Sequence, residues 1–390
     1  MRRRDKKKST LGLKLHIDNT LVIVSFSLLL MGFVMVSSAS LHLGAKINND
    51  ILYYPQRQFM HMMLGLVAAL FVAYRPLYFW REHGSKIFLG SFVLLILVLL
   101  PGIGVKVNGS TRWLNIPGFR IQVSEIVKFC TVIFMANYVT RQQKRVQDAA
   151  TGLMQPLIVF SFVSLLLLAE PDFGSAVVTL IIVMGVMFLA GARLLQFIGL
   201  LALLGFLAGI VVIFSPYRLQ RVTSFMDPWA DPLKTGFQLV QSLISFGRGE
   251  WFGVGLGNGL QKLFYLPEAH TDFLFSVIAE ELGLVGVVSV IALFSVFVWR
   301  AFAIGAAAEK AGERFAAFVA YGIGIWFGFQ AFINMGVNMG LLPTKGLTLP
   351  LMSYGGGSMM IMCCAVALLF RVYHEISEYN ANLPKGYWHD

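Results

Sequence analysis

The feature that most constrains this chain is a series of ten predominantly apolar runs, at 20–41, 58–75, 86–101, 122–140, 155–169, 174–192, 194–214, 273–299, 316–341 and 348–371. A helix needs about 20 such residues to cross the hydrocarbon core of a bilayer, within a range of about 17–25. Lipid offers no water to satisfy backbone N–H and C=O groups, so runs of this length span as helices. Composition points the same way. Of the 390 residues 57% are hydrophobic and 13% charged, against about 45–50% and about 25% in soluble domains. No single water-soluble core accommodates that much apolar side chain. The expected fold is all-α: a polytopic membrane protein of about ten transmembrane helices forming one domain over 1–390. It comprises a basic N-terminal segment (1–17), a large extracytoplasmic loop between helices seven and eight (215–272) and a C-terminal tail (372–390).

The opening MRRRDKKK followed by an apolar run has the outline of a signal peptide. The run from Leu21 to Ala39 exceeds the roughly 7–15 residues of a signal h-region, so it reads as an uncleaved first span. Ten spans put both termini on one side. With the N-terminus inside, the inner segments collect Arg2, Arg3, Arg4, Lys6, Lys7, Lys8, Lys14, Arg75, Arg81, Lys86, Arg141, Lys144, Arg145, Arg193, Arg300, Lys310, Arg314 and Arg371. The longer outer loops carry fewer, which predicts cytoplasmic termini. The net charge of +11 fits such loops and anionic lipid. No basic groove interleaved with aromatics suggests a nucleic-acid partner. Cys130, Cys363 and Cys364 lie in apolar runs without metal-site spacing and read as small buried hydrophobes.

Two outer segments stand out, Pro101 to Ile121 and Ser215 to Thr271. Loops longer than about 12–15 residues are usually functional or disordered. The second holds Trp229, Phe237, Trp251, Phe252 and Tyr265, so it is expected to pack, as short or re-entrant helices.

Charges inside spans are the sharpest chemical signal, each costing about 2.5–3.5 kcal/mol at a helix centre on insertion scales. Glu125 and Lys128 in QVSEIVKF are three residues apart, share a helix face and can pair. A self-neutralising packing pair and a substrate-contacting pair are equally open readings. Glu280 and Glu281 are adjacent, point about 100° apart and cannot both face one cavity, so they are read as structural polar contacts. Asp272 stands at the mouth of the eighth run, where Thr271 is a candidate N-cap and the helix N-terminus would favour an ionised carboxylate. From the residues alone Asp272 is either part of that cap or catalytic. GVGLGNG (Gly253–Gly259) lacks the strand and βαβ context of a dinucleotide fingerprint. SYGGGS, with Ser353 and Tyr354, has glycines that allow close helix approach or an unwound segment beside a cavity. No HExxH, Walker loop or metal-ligand cluster is present.

The stretch NMGVNMGLLPTKGLTLPLMSYGGGS, Asn334 to Ser358, closely resembles the signature of the SEDS family, whose members shape, elongate and divide the bacterial wall. The resemblance continues in YYPQRQ at Tyr53–Gln58, TRWLNIPGFRIQVSEIVKF at Thr111–Phe129, EPDFGSA at Glu170–Ala176, QLVQSLISFGRGEWFGVGLGNG, and LPEAHTDF at Leu266–Phe273. PTKGLTLP looks like the division branch rather than the elongation branch.

The resemblance implies a ten-span peptidoglycan glycosyltransferase that polymerises lipid II at the outer face of the inner membrane, at the division septum. It implies that Asp272 is the essential aspartate and that Glu125 and Lys128 are the cavity pair. The acceptor 4-hydroxyl would attack the donor's anomeric carbon with inversion, Asp272, ionised at neutral pH, taking the proton. Positive charge must meet the leaving pyrophosphate, for which Arg112, Arg120, Arg218, Arg221, Arg248, Lys262 and Lys345 are candidates. Ser353 and Tyr354 join them as candidate cavity residues. A divalent cation, Mg or Mn, is a candidate assistant, and no organic cofactor is expected. The partners implied are an FtsI-like class B penicillin-binding protein and divisome regulators. A lipid II flippase and a non-catalytic division scaffold are the alternatives.

Overall fold

A computed structural model describes residues 16–107, 110–116, 119–148, 150–343 and 346–381. Nine described helices are long and apolar enough to cross a membrane: α1 (Asn19–Asn48), α2 (Tyr53–Tyr74), α3 (Leu77–Leu99), α4 (Val123–Asp148), α5 (Ala150–Ala169), α7 (Leu194–Ile213), α10 (Leu274–Lys310), α11 (Arg314–Asn338) and α12 (Gly356–Ala381). The tenth expected span is α6 (Phe173–Leu189), 17 residues and equally apolar. Short turns join α1 to α2, α2 to α3, α5 to α6, α6 to α7 and α10 to α11, while the α3–α4, α7–α10 and α11–α12 connections are long. α4 and α11 are buried along most of their length and, with α6, form the centre of the bundle. α2 pairs with α12, α1 packs on α2 and α10, and α3 and α5 flank α4. No residue of α7 is buried, and its neighbours are α6 and α8 (Pro216–Met226).

Several helices overrun the apolar runs. α2 begins at Tyr53 and α3 at Leu77, ahead of the expected 58 and 86, because amphipathic turns extend them past the hydrocarbon. α12 continues to Ala381, so most of the expected tail is helix. The N-terminal segment is described from His16 onward. There Asp18 caps α1, accepting from Leu21 N at 2.8 Å, and its other oxygen pairs with Arg300. Between α3 and α4 lies an element absent from the all-helical expectation. It is a three-stranded antiparallel sheet, β1 (Gly104–Val107), β2 (Ser110–Ile116) and β3 (Phe119–Gln122), in the order β1-β2-β3. Val107 pairs with Ser110 across a two-residue connection whose sequence is Asn-Gly, the strongest short hairpin signal.

The α7–α10 connection holds α8 and α9 (Phe237–Gly249), then a run of turns to Phe273. α9 descends alongside α10, and the following turns re-enter the bundle beside Gly283, nine residues and about 14 Å along α10 from its start. Gly283 has φ +65° and ψ −160°, a conformation essentially restricted to glycine, and it breaks the helical ladder. The N–H groups of Leu284 and Val285 donate to Glu250 O and Trp251 O. The carbonyls of Glu280 and Glu281 accept from Val254 N and Gly255 N. The two carboxylates complete the join. Glu280 meets Arg248 at 2.8 Å and accepts from Leu260 N and Gln261 N. Glu281 meets Lys262 at 2.6 Å, Ser38 Oγ at 2.8 Å and Gly257 N at 3.0 Å. Although adjacent, both acids point at the re-entrant segment and hold it against α10.

Candidate active site

A cavity of about 1930 Å³ occupies the end of the bundle where the sheet, the α5–α6 turn, α8, the 262–273 turns and the 346–356 strap meet. Asp272 lines it. α10 starts at Leu274 with Phe273 at its N-cap and no side-chain cap. Thr271 therefore does not cap the helix: its hydroxyl donates to Glu268 Oε2 at 2.8 Å. The Asp272 carbonyl receives the Asn334 and Asn338 side-chain amides at 2.9 and 3.0 Å. Its carboxylate lies over Gly346, where an added Cβ would stand 2.9 Å from Oδ2. A side chain at 346 would push the carboxylate out of this position.

Electrostatics here differ from the expectation of a carboxylate firmly ionised at neutral pH. Burial first, then the charges of Glu268 and Asp172, raise the Asp272 pKa to about 7 against the opposing Arg112 and Arg221. Losing water outweighs the guanidiniums, so the group titrates near neutrality. Glu170, in the α5–α6 turn, is fully buried with neither carboxylate oxygen partnered, and burial pushes it up to about 8. Beside it Asp172 caps α6 through Ser175 N at 3.1 Å. Asp172 also accepts from Ser124 Oγ at 2.9 Å and Gln122 Nε2 at 3.2 Å, and faces Arg112 at 3.6 Å. A turn-borne acid thus ties α4, α6 and the sheet together at the cavity wall.

Glu125 and Lys128 pair as their spacing predicts, at 2.6 Å. Lys128 is fully buried, bound also to Gln330 Oε1 at 2.7 Å and lying over the Trp326 ring. Glu125 lines the cavity, and its Oε2 has no partner. Arg112, Arg120 and Arg221 line the cavity. Arg248 does not, being paired with Glu280, and Lys262 reaches the lining while its ammonium is held by Glu281 and Ser38. Those two cations are committed to the α10 join. Lys345 lies outside the described residues, as does the side chain of Arg218. Ser353 is buried off the cavity and accepts from Leu349 N at 2.9 Å. Tyr354 lines the cavity in an aromatic wall with Tyr54, His61 and His270, its ring centroid 5.4 Å from those of Tyr54 and His270. Burial pushes its phenol up to about 12, keeping it a donor. Sequence reasoning named the segments holding Asp172, Asn334, Asn338 and Gln330 without singling out these residues.

Fold and site together define a polytopic membrane protein with a polar, carboxylate-bearing cavity at one end of its bundle. Residues 19–378 match the FtsW/RodA/SpoVE family model, described as cell cycle protein, and the chain belongs to that family. It is 59% identical over 373 residues to a probable peptidoglycan glycosyltransferase FtsW of Methylomonas methanica, covering 96% of each chain. Its identity to the protein of that description from Methylococcus capsulatus is 55%, over 96% of this chain and 94% of the other. Among solved structures it resembles a peptidoglycan synthase complex in which polymerisation and crosslinking are coordinated, with TM-score 0.74 and 30% identity over 93% of this chain and 99% of that one. It also resembles the rod shape determining protein RodA of Thermus thermophilus, with TM-score 0.68 and 26% identity over 93% and 98%.

Proposed function

We propose that this protein is a division-branch peptidoglycan glycosyltransferase that polymerises lipid II, with Asp272 as the base. The observation that carries the reading is the Asp272 carboxylate, set on the cavity surface over Gly346 and titrating near neutrality. A general base works best with a pKa near the operating pH and contributes typically about 10²–10⁴-fold. The acceptor's 4-oxygen bonds to the donor's anomeric carbon as that carbon's bond to the pyrophosphate oxygen breaks. The hydroxyl proton passes to Asp272, and the lipid pyrophosphate leaves with the bonding pair. One displacement inverts the anomeric centre without a covalent sugar intermediate. Arg112 and Arg221 face Asp272 closely enough to lower its pKa, and they would meet the charge growing on the leaving group. The unpartnered Glu125 oxygen would accept from a substrate hydroxyl or amide. Among the described residues no three His, Cys, Asp or Glu side chains converge as a metal-binding set, so no step is routed through a divalent cation.

The basic inner loops support an inner-membrane protein with cytoplasmic termini and the cavity at the outer leaflet. Kinship to FtsW proteins, and likeness to a synthase complex that couples polymerisation to crosslinking, support a class B penicillin-binding transpeptidase as partner, with divisome regulators acting on the pair. The test is polymerisation of lipid II by purified wild type and Asp272→Asn, each with its transpeptidase. Asp272→Asn should fold and insert yet make no glycan. Full polymerisation by that variant would sink the assignment. Lipid II translocation in vesicles without polymer under coupled conditions would replace it with a flippase.

A further inference from the structure

Asp272 is kept out of α10 by a side chain that takes the place of a peptide hydrogen bond. In an uninterrupted helix the Asp272 carbonyl would accept from the N–H of Ser276, four residues on. The Asn338 carboxamide stands between them. Its Nδ2 donates to Asp272 O at 3.0 Å, and its Oδ1 accepts from Ser276 N at 3.1 Å and Ser276 Oγ at 2.6 Å. Asn338 is itself fully buried and pinned: its Nδ2 also donates to Asn334 O at 2.8 Å, and its carbonyl accepts from Ser242 Oγ of α9 at 2.6 Å. Asn334, one turn earlier in α11, adds a second donor to Asp272 O and holds Leu347 O at 2.6 Å, next to Gly346.

Two arrangements of this turn follow. With the amide in place, the Asp272 carbonyl is satisfied sideways from α11, and the carboxylate rests over Gly346. With the amide gone, Ser276 N–H keeps only its 3.1 Å contact to Phe273 O and Asp272 O keeps only Asn334 Nδ2, so the two groups that Asn338 had bridged are free to bond each other. That closure starts α10 one residue earlier, with Asp272 in place of Phe273 as its N-cap, and aims the carboxylate by the helix rather than by the strap. We propose that Asn338 is a positioning residue for glycosyl transfer, a splint that holds open the first turn of α10 and fixes where the Asp272 carboxylate stands. The proposal rests on the reading of Asp272 as the base.

The experiment has a kinetic arm and a chemical arm. In the first, lipid II polymerisation by the full chain with its transpeptidase is compared for wild type, Asn338→Ala and the volume-conserving Asn338→Leu. Displacement of a reacting group by about 1 Å can cost about 10²-fold. Both variants should lose at least about tenfold in kcat while KM for lipid II stays within about twofold. In the second, Asp272→Cys protein, with and without Asn338→Leu, is labelled by a membrane-impermeant methanethiosulfonate. The splint predicts slower labelling at position 272 in the double variant. The native cysteines, all buried, report unfolding, which would speed labelling instead. Unchanged kcat, or a change confined to KM, overturns the proposal, as does an unchanged or faster labelling rate with the native cysteines still protected. Polymerisation by Asp272→Asn would remove the base assignment, and the labelling arm would still decide whether Asn338 sets the position of residue 272.

Discussion

Replacing Glu281 by Gln tests whether the join between α10 and the re-entrant segment depends on charge. Glu281 is fully buried and the Lys262 side chain nearly so, with their charged atoms 2.6 Å apart. A Gln fits the space but presents a donor to a site where Lys262, Ser38 and Gly257 N–H all supply protons. One donor then faces another, and a buried ammonium loses its counter-charge. Removing one partner of such a pair costs about 3–5 kcal/mol. Removing both charges, in Lys262→Met/Glu281→Leu, leaves Gly257 N–H and the Ser38 hydroxyl short of an acceptor, at about 1–3 kcal/mol. The double variant should therefore be more stable than Glu281→Gln alone. Equilibrium unfolding in detergent measures the difference, and the singles Lys262→Met and Glu281→Leu close the double-mutant cycle. Additive single effects, or a Glu281→Gln protein within about 0.5 kcal/mol of wild type, the scatter expected of independent sites, would refute the reasoning.

Three further outcomes concern the acid limb and the join. With Asp272 titrating near 7 and required as the anion, kcat should fall about tenfold for each unit below that pH. Glu268 raises the Asp272 pKa, so Glu268→Gln, which keeps the shape and an acceptor for Thr271, should move this acid limb to lower pH; a limb that stays put or moves up contradicts the electrostatics described. Gly283→Ala places a Cβ 2.4 Å from Gly253 N at φ +65°, and should unfold the join, read as loss of monodisperse protein on detergent extraction; wild-type yield and melting would contradict the role given to Gly283.

The spans were legible because hydropathy is a property of consecutive residues, and about twenty of them decide a crossing. The Glu125–Lys128 pair was legible for a similar reason, since both members sit on one helix turn. What was missed depends on partners distant in the chain. Nothing near Glu280 announces that its carboxylate will collect Arg248 and two N–H groups about 20 residues upstream. Nothing near Lys262 says its charge is already spoken for. The short strands β1 to β3 have too few residues for alternation to register between two apolar runs, although Asn-Gly at 108–109 carried the hairpin cue. Thr271 has the right chemistry for a cap, but Asn338, reaching across from α11, delays the helix by taking the Ser276 N–H. Asp272 was singled out by likeness of motif; its raised pKa follows from burial, which no linear reading supplies.

The break at Gly283 has a bearing on how the molecule assembles. In hydrocarbon, a backbone group without a partner is prohibitively unstable. The upper part of α10 relies on Glu250 and Trp251 for acceptors, and the turn at 254–255 relies on Glu280 and Glu281. Neither strand of the chain is complete alone. Residues 237–285 therefore form a single cooperative piece, and a deletion or insertion between the two halves shifts the register of both at once.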